Sequence, residues 1–124
     1  MSPDEPRPAG TPLLVACLCA EWCGVCNAYT QTFEGLKARF PGVRFLWIDV
    51  EDEEDLIHPL EVENFPTLLI AMGDQARFFG PLRPQAETLE RLIRAHLDDA
   101  ESPALRHPDV AALAARLSAA PRNA

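Results

Sequence analysis

Two cysteines separated by two residues carry the strongest chemical signal in this sequence. Cys23 and Cys26 follow Trp22, at the point where an apolar segment gives way to a helical pattern. At the first turn of a helix, backbone N–H groups and the helix dipole stabilise a thiolate, and a cysteine three positions later lies on nearly the same face. Cys23 can therefore attack a substrate disulfide, and Cys26 can resolve the mixed disulfide. The spacing predicts a reversible Cys23–Cys26 dithiol/disulfide, and Gly24 permits the tight turn between strand and helix.

The elements that position these thiols can be predicted from the periodicity of apolar residues. Strand patterns occupy residues 12–19, 43–50, 66–72 and 75–79, and helical patterns occupy residues 24–40, 51–58 and 84–97. Strands that alternate with helices imply parallel pairing, and the last two strands form a hairpin with an antiparallel edge. The sequence therefore predicts an α/β fold with a central mixed four-stranded sheet flanked by helices. Trp47, in the second strand pattern, is expected to be a core residue of a central strand rather than a binding aromatic.

The domain organisation follows from length and composition. A chain of 124 residues is long enough for one buried core. We expect a flexible N-terminal segment over residues 1–11, an α/β domain over residues 12–97, and a linker with a C-terminal helix over residues 98–124. Short isolated helices are marginal in water, so we expect this last helix to pack on its own domain or fray rather than bind a partner.

Charge and composition argue against several function classes. The net charge is −8, and the single lysine and ten arginines form no basic cluster, which disfavours nucleic-acid binding. No apolar run approaches the ~20 residues of a membrane span, and residues 1–10 do not resemble a signal peptide. Because the cytoplasm keeps thiols reduced, the four cysteines are then expected to be reactive, metal-binding or merely buried rather than structural disulfides. We therefore expect a cytoplasmic monomer that binds neither nucleic acid nor membrane.

The cysteine motif has a specific context in this sequence. The sequence Glu-Trp-Cys-Gly-Val-Cys at residues 21–26 follows an apolar strand, and Phe-Pro-Thr at residues 65–67 comes about forty residues later. Over residues 12–97 the chain resembles the thioredoxin family. The family's usual strand and helix before the first of these strands have no counterpart here, so the resemblance implies a minimal version of that fold.

The resemblance assigns roles to residues outside the cysteine pair. It implies that Pro66 is in the cis form against the thiols and that the backbone of Phe65 binds substrate. Gly80 matches a glycine beside the substrate groove, although an ordinary turn glycine fits equally well. The remaining expected substrate contacts come from the motif itself, at Trp22, Gly24 and Val25. The implied partners are disulfide-containing proteins and a recycling reductant, without a bound cofactor.

The sequence also departs from the family at several positions. Cys17 stands where a buried aspartate commonly assists proton transfer, and Phe45 stands where a lysine often accompanies it. Glu21 and bound water are alternative proton carriers, although a glutamate there also fits a simple surface position. Val25 replaces the usual proline between the cysteines. The reducing strength typical of the family therefore cannot be transferred to this chain.

Alternatives exist for the additional cysteines and for the function. Cys17 and Cys19 lie on one strand face, where they are either small buried hydrophobes or a second redox pair or regulatory thiol. A disulfide between them is poorly disposed, because same-face neighbours in a strand stand too far apart. The four thiols could in principle hold zinc or an iron–sulfur cluster, but a strand holds the first pair inside the sheet, so we expect no metal. A binding module with weak or no turnover is the alternative to an enzyme.

Overall fold

A computed structural model describes residues 13–99 and 103–119; the predicted N-terminal segment 1–11 lies outside these residues. The elements are β1 (Leu13–Cys19), α1 (Gly24–Arg39), β2 (Arg44–Asp49), α2 (Glu54–Ile57), β3 (Thr67–Met72), β4 (Gln75–Pro81), α3 (Ala86–Asp98) and α4 (Pro108–Ala119). The strands form a four-stranded sheet in the order β2-β1-β3-β4. β1 and β2 are parallel, whereas β3 is antiparallel to both β1 and β4. The predicted mixed sheet with flanking helices and a C-terminal helix is confirmed.

The first face of the sheet packs against α1 and α3. Every second residue of β1 points to this face because side chains alternate along a strand. The buried residues of α1 recur at intervals of three or four, which places them on the helix side that faces the sheet. This first-face core includes Leu13, Val15, Cys17 and Cys19 from β1, Cys26, Tyr29, Phe33 and Leu36 from α1, and Leu89 and Ile93 from α3.

The second face of the sheet is covered by α2 and α4. The intervening β1 residues Leu14, Ala16 and Leu18 pack in one cluster with Ile57 of α2 and with Val110, Leu113, Ala114 and Leu117 of α4. The side chain of Arg116 also donates hydrogen bonds of 2.7 and 3.0 Å to the carbonyl oxygen of Leu56. α4 therefore packs on its own sheet, as expected. No helix among the described residues is long and apolar enough to cross a membrane.

The helix predicted for residues 51–58 is shorter in the structure and spans only Glu54–Ile57. Asp49 Oδ1 accepts hydrogen bonds from the backbone N–H groups of Glu51 at 2.9 Å and of Asp52 at 3.1 Å. An aspartate that binds the following N–H groups in this way favours a turn over a helix. The acidic segment therefore begins as a turn.

Trp47 is also placed differently from the prediction. We expected a core residue on a central strand, but β2 lies at the edge of the sheet and the Trp47 side chain is 38% exposed. Its ring lies 5.5 Å from the ring of Phe33 and covers the end of the first-face core. The sequence did not reveal which strand would be the edge.

Candidate functional site

The four cysteines converge where β1 runs into α1. Cys19 ends β1, and a short turn follows in which the Cys23 N–H donates a 3.0 Å hydrogen bond to the Ala20 carbonyl oxygen. Cys23 is the N-cap residue of α1, with extended backbone angles and no side-chain capping bond, and Cys26 occupies the third helical position. The turn thus folds the first turn of the helix back over the end of the strand.

The disulfide of the site joins Cys19 to Cys26. Their Cα atoms lie 5.8 Å apart, within the usual range for a disulfide, and each residue is only 1% exposed. Cys23 is a free thiol and is half-buried. The structure thus differs from the predicted Cys23–Cys26 bond, because Cys26 on the inner side of α1 meets the end of β1. Cys19 is therefore a disulfide cysteine, and not only the small buried hydrophobe that its position in a strand favours.

Cys17 lies directly behind the disulfide. It is a fully buried free thiol, and its Sγ lies 3.6 Å from the Sγ of Cys19. Since a disulfide sulfur carries no proton, the S–H group of Cys17 is the donor in this contact. Burial raises the pKa of the Cys17 thiol far above its ordinary value, which keeps the group protonated. Phe45, which pairs with Val15 between β1 and β2, is buried as well, so the two positions are apolar, as the sequence indicates.

A buried tyrosine adds a polar group that the sequence analysis did not single out. Tyr29 lies three residues after Cys26 on the inner side of α1, and its hydroxyl group is buried without a hydrogen-bond partner among the described residues. Burial is the main cause that raises the Tyr29 pKa, and the electrostatic interaction with Cys17 adds to it. The Tyr29 hydroxyl therefore stays protonated beside the sulfur cluster. The sequence signal that could have identified this group is a tyrosine among the apolar residues on one side of α1.

The outer rim of the site is aromatic. The Trp22 side chain is 66% exposed, and its Nε1 donates a 2.8 Å hydrogen bond to Glu51 Oε2. Its ring meets the ring of Phe65 edge-on, with centroids 5.6 Å apart. The Phe65–Pro66 peptide bond is cis, the form that the resemblance implies. Phe65 and Cys23 both pack against the first-face core, so the loop before β3 and the start of α1 share one edge of the sheet. The sequence analysis missed Glu51 as the partner of the tryptophan.

The other predicted site residues occupy more ordinary surroundings. Gly24 and Val25 are exposed beside Cys23. Glu21 is exposed too, and its backbone carbonyl oxygen accepts a 3.1 Å hydrogen bond from the Asn27 side chain. Gly80 lies within β4 rather than in a turn. A Cβ atom there would lie 3.7 Å from the ring of Phe78, an ordinary contact, so crowding does not require glycine at this position.

A cavity of about 480 Å³ opens beside Glu51 and His58, but no cysteine lines it. Within residues 13–99 and 103–119, no three His, Cys, Asp or Glu side chains are grouped as metal ligands. Two of the four sulfurs are bonded to each other, and a disulfide sulfur is not a thiolate ligand. The arrangement is suited to sulfur exchange.

Sequence comparisons point to one family. The family model named Thioredoxin matches residues 9–95. A thioredoxin from Ophiophagus hannah is 36% identical over 91 residues, which cover 72% of this chain and 84% of that protein. A thioredoxin from Ovis aries is 37% identical over 88 residues, with coverage of 68% and 84%. Thioredoxin H2-1 from Oryza sativa is 30% identical over 87 residues, which cover 68% of this chain and 63% of that longer protein.

Solved structures give the same result for the fold. The crystal structure of thioredoxin from Trypanosoma brucei brucei superposes with a TM-score of 0.64 at 25% identity, covering 71% of this chain and 77% of that chain. The X-ray structure of Fasciola hepatica thioredoxin superposes with a TM-score of 0.63 at 25% identity, covering 68% and 81%. The residues matched by the family model, 9–95, include the sheet and the cysteine site.

Proposed function

Because the chain belongs to the thioredoxin family, we propose that it is a thiol–disulfide oxidoreductase that reduces or exchanges disulfides in protein substrates through Cys23. One observation carries the proposal. Cys23 is a free, half-buried thiol at the N-cap of a 16-residue helix, directly in front of a disulfide. A helix N-terminus stabilises a thiolate, and partial exposure allows a substrate to reach it.

The reaction starts from the reduced chain, in which Cys23 and Cys26 are both thiols. The Cys23 thiolate attacks one sulfur of a substrate disulfide, and the other substrate sulfur leaves as a thiolate that takes up a proton. Cys26 then attacks the Cys23 sulfur of the mixed disulfide, and the second substrate sulfur leaves. The substrate is thereby reduced by two electrons and the chain is oxidised by two. A dithiol reductant returns the chain to its starting state.

Substrate binding falls to the exposed rim around Cys23. We assign it to Trp22, Gly24 and Val25 on one side and to the cis-proline loop of Phe65 and Pro66, with Gly80, on the other. The Trp22 indole is fixed by Glu51 and by the Phe65 ring, so it offers a preorganised apolar surface. An open rim of this kind favours protein disulfides over a small molecule enclosed in a pocket.

Proton transfer must differ from that of relatives with a buried carboxylate. Cys17 and Phe45 leave the position behind the thiols apolar, and the polar groups there are the protonated Cys17 thiol and the Tyr29 hydroxyl. Glu21 is exposed and lies on the solvent side of these groups. We expect turnover to be slower than in relatives with a buried acid.

The test is reduction of insulin with dithiothreitol as the electron source, followed by turbidity. The full chain should accelerate precipitation, and Cys23→Ser should reduce the rate to that of dithiothreitol alone, because the attacking sulfur is gone. Cys17→Ser is the matched control, since it replaces a buried thiol that forms no disulfide with a hydroxyl that can still donate a hydrogen bond, and it should retain most of the activity. Undiminished activity of Cys23→Ser would refute the proposal.

A binding module remains the second candidate, and one observation favours it. The Cys19–Cys26 disulfide removes the resolving thiol, so a captured substrate would stay attached to Cys23. Capture of insulin on Cys23 of the oxidised chain, together with no acceleration of insulin reduction by the reduced chain in dithiothreitol, would select this candidate. The expected monomeric state and cytoplasmic location stay predictions.

A further inference from the structure

We propose that Cys19 is a third redox-active cysteine, which takes over the disulfide from Cys23 by attacking Cys26. This inference rests on the proposed function, because substrate reduction supplies the initial Cys23–Cys26 disulfide. The Cys19 thiolate attacks Cys26 Sγ, the Cys23–Cys26 bond breaks, and Cys23 leaves as a thiolate. One disulfide replaces another, so no external oxidant or reductant is consumed. The proton that Cys19 loses is balanced by the one that Cys23 regains from solvent.

The geometry gives Cys26 two possible disulfide partners. Cys23 is the N-cap residue and Cys26 is the third residue of α1, two positions whose groups approach each other in capped helices. On the other side, the end of β1 brings the Cα atom of Cys19 to 5.8 Å from that of Cys26. Cys26 can therefore bond to either neighbour. The Cys19–Cys26 loop is longer than the Cys23–Cys26 loop, but closure entropy grows only slowly with loop length.

Burial favours the exchanged form. Cys19 and Cys26 are each 1% exposed, whereas Cys23 is half-buried. During the exchange step the thiolate passes from the buried Cys19 to Cys23 at the helix N-terminus, where water and backbone N–H groups stabilise the leaving charge. A stabilised thiolate is also the better leaving group. The exchange thus moves the negative charge from the core to the surface.

Cys17 assists the reverse step. Its S–H group donates to Cys19 Sγ at 3.6 Å, so it points at the sulfur that becomes a thiolate when the Cys19–Cys26 bond opens. Hydrogen bonds strengthen as the acceptor gains charge. The Cys17 thiol therefore stabilises the Cys19 thiolate more than the disulfide and eases reopening by Cys23. Cys17 is accordingly a positioning residue and forms no bond itself.

The functional consequence is an oxidised chain that keeps its nucleophile. After one substrate is reduced, the two oxidising equivalents move to a disulfide that solvent does not reach, and Cys23 is again a free thiol. Disulfide substrates can then still be bound covalently. In contrast, external reductants can reach the stored disulfide only through Cys23, which must first attack Cys26.

The experiment maps the disulfide in the oxidised full chain. The reduced protein is oxidised with insulin as the disulfide substrate, quenched in acid, blocked with N-ethylmaleimide in denaturant, and cleaved after glutamate. Cleavage after Glu21 separates Cys17 and Cys19 from Cys23 and Cys26. A Cys19–Cys26 bond joins two peptides, whereas a Cys23–Cys26 bond lies within one. We expect the joined peptides to dominate, with N-ethylmaleimide on Cys23.

Two variants make the outcome decisive. Cys19→Ser should lose the joined peptides and show only the bond within one peptide, whereas Cys17→Ser should keep them. Native oxidised protein should react with about one equivalent of Ellman's reagent through Cys23, a reaction that Cys19→Ser should lose. The inference would be overturned if the wild-type digest contained no more of the joined peptides than the Cys19→Ser digest.

The outcome is distinguishable from failure of the proposed function. If the wild-type chain reduces insulin but contains only the Cys23–Cys26 bond, the inference is wrong and the proposed function stands. If the chain does not reduce insulin, oxidation with oxidised glutathione replaces the substrate in the same mapping. Joined peptides would then support a redox role for Cys19 without the proposed function, and their absence would refute both.

Discussion

The two faces of the sheet differ in what they bury. The first face holds three sulfurs of the cysteine site and a tyrosine hydroxyl, packed against α1 and α3. The second face, under α2 and α4, is a cluster of hydrocarbon side chains alone. One strand, β1, supplies both faces through alternate residues, so Cys17 and Cys19 of the sulfur site share a strand of seven residues with hydrocarbon side chains of the second face. The difference indicates that substitutions on the second face should change stability without touching the sulfur site, whereas substitutions of the first-face cysteines should mainly change sulfur chemistry.

The largest expected effect is on the second face. Leu113 of α4 is fully buried, and Leu113→Ala should lower the free energy of unfolding by about 2–5 kcal/mol, because it removes buried methyl groups and leaves a cavity. The matched control is Leu97→Ala in α3, where the side chain is 45% exposed and the expected loss is below about 1 kcal/mol. Urea unfolding measures both. Loss of insulin reduction in the folded Leu113→Ala protein would contradict the separation of the faces.

The next effect concerns access to the buried disulfide on the first face. Oxidised Cys23→Ser should be reduced by dithiothreitol at least about tenfold more slowly than wild type under native conditions, because Cys19 and Cys26 are shielded from solvent. Thiol alkylation at timed intervals measures the rate, and urea should abolish the difference. Oxidised Cys17→Ser serves as control and should be slowed less. Equal native rates for Cys23→Ser and wild type would show that the disulfide is reached directly.

A smaller effect is expected at the rim of the first face. Trp22→Ala should raise the KM for insulin by roughly three- to tenfold with little change in kcat, because it removes an exposed apolar contact outside the exchanging sulfurs. Trp22→Phe keeps an aromatic ring but loses the hydrogen bond to Glu51, and it should have an intermediate KM. Steady-state kinetics separates the two constants. An unchanged KM in Trp22→Ala would remove Trp22 from the substrate surface.

The smallest effect is electrostatic and lies far from the sulfurs. Glu90 of α3 accepts hydrogen bonds from Arg94 and, at 2.8 and 2.9 Å, from Arg39 of α1. The Arg94 hydrogen bond is the main cause that lowers the Glu90 pKa, and Arg39 adds to it. A carboxyl whose pKa is lower in the folded state stabilises the protein above its unfolded pKa, and this stability is lost as the pH falls through the folded pKa.

The corresponding experiment compares urea unfolding of wild type and Glu90→Gln across acidic and neutral pH. Wild type should be more stable near neutral pH, and the two curves should converge in acid, where Glu90 is protonated in both states. Insulin reduction should be unchanged in the variant. A stability difference that does not vary with pH would exclude the charged form of Glu90 as its cause.

Much of the fold could be predicted because its signals are local. Apolar periodicity located the strands and α1, and the Phe65–Pro66 context indicated the cis bond that the structure contains. The edge position of β2 could not be predicted, since strand order depends on long-range pairing and not on the residues of one strand. Trp47 was therefore misplaced in the core.

The partner of Cys26 could not be predicted for a similar reason. Spacing within one element pointed to a disulfide between Cys23 and Cys26. For Cys17, it allowed only a pairing with Cys19 to be considered. The bond in the structure joins the end of β1 to the inner side of α1, so it depends on how α1 packs against the sheet after the turn at Ala20. That packing involves the whole buried side of α1 and the first-face core, which no single element of the sequence reveals.

The most direct test of the account is to trap the reaction at its first step. Cys26→Ser lacks the resolving sulfur, so incubation of the reduced variant with insulin should accumulate a mixed disulfide, which peptide mapping should assign to Cys23. The adduct should disappear in the double variant Cys23→Ser/Cys26→Ser. An adduct on Cys17 or Cys19, or no adduct under conditions where wild type reduces insulin, would contradict the assignment of Cys23 as the attacking thiol.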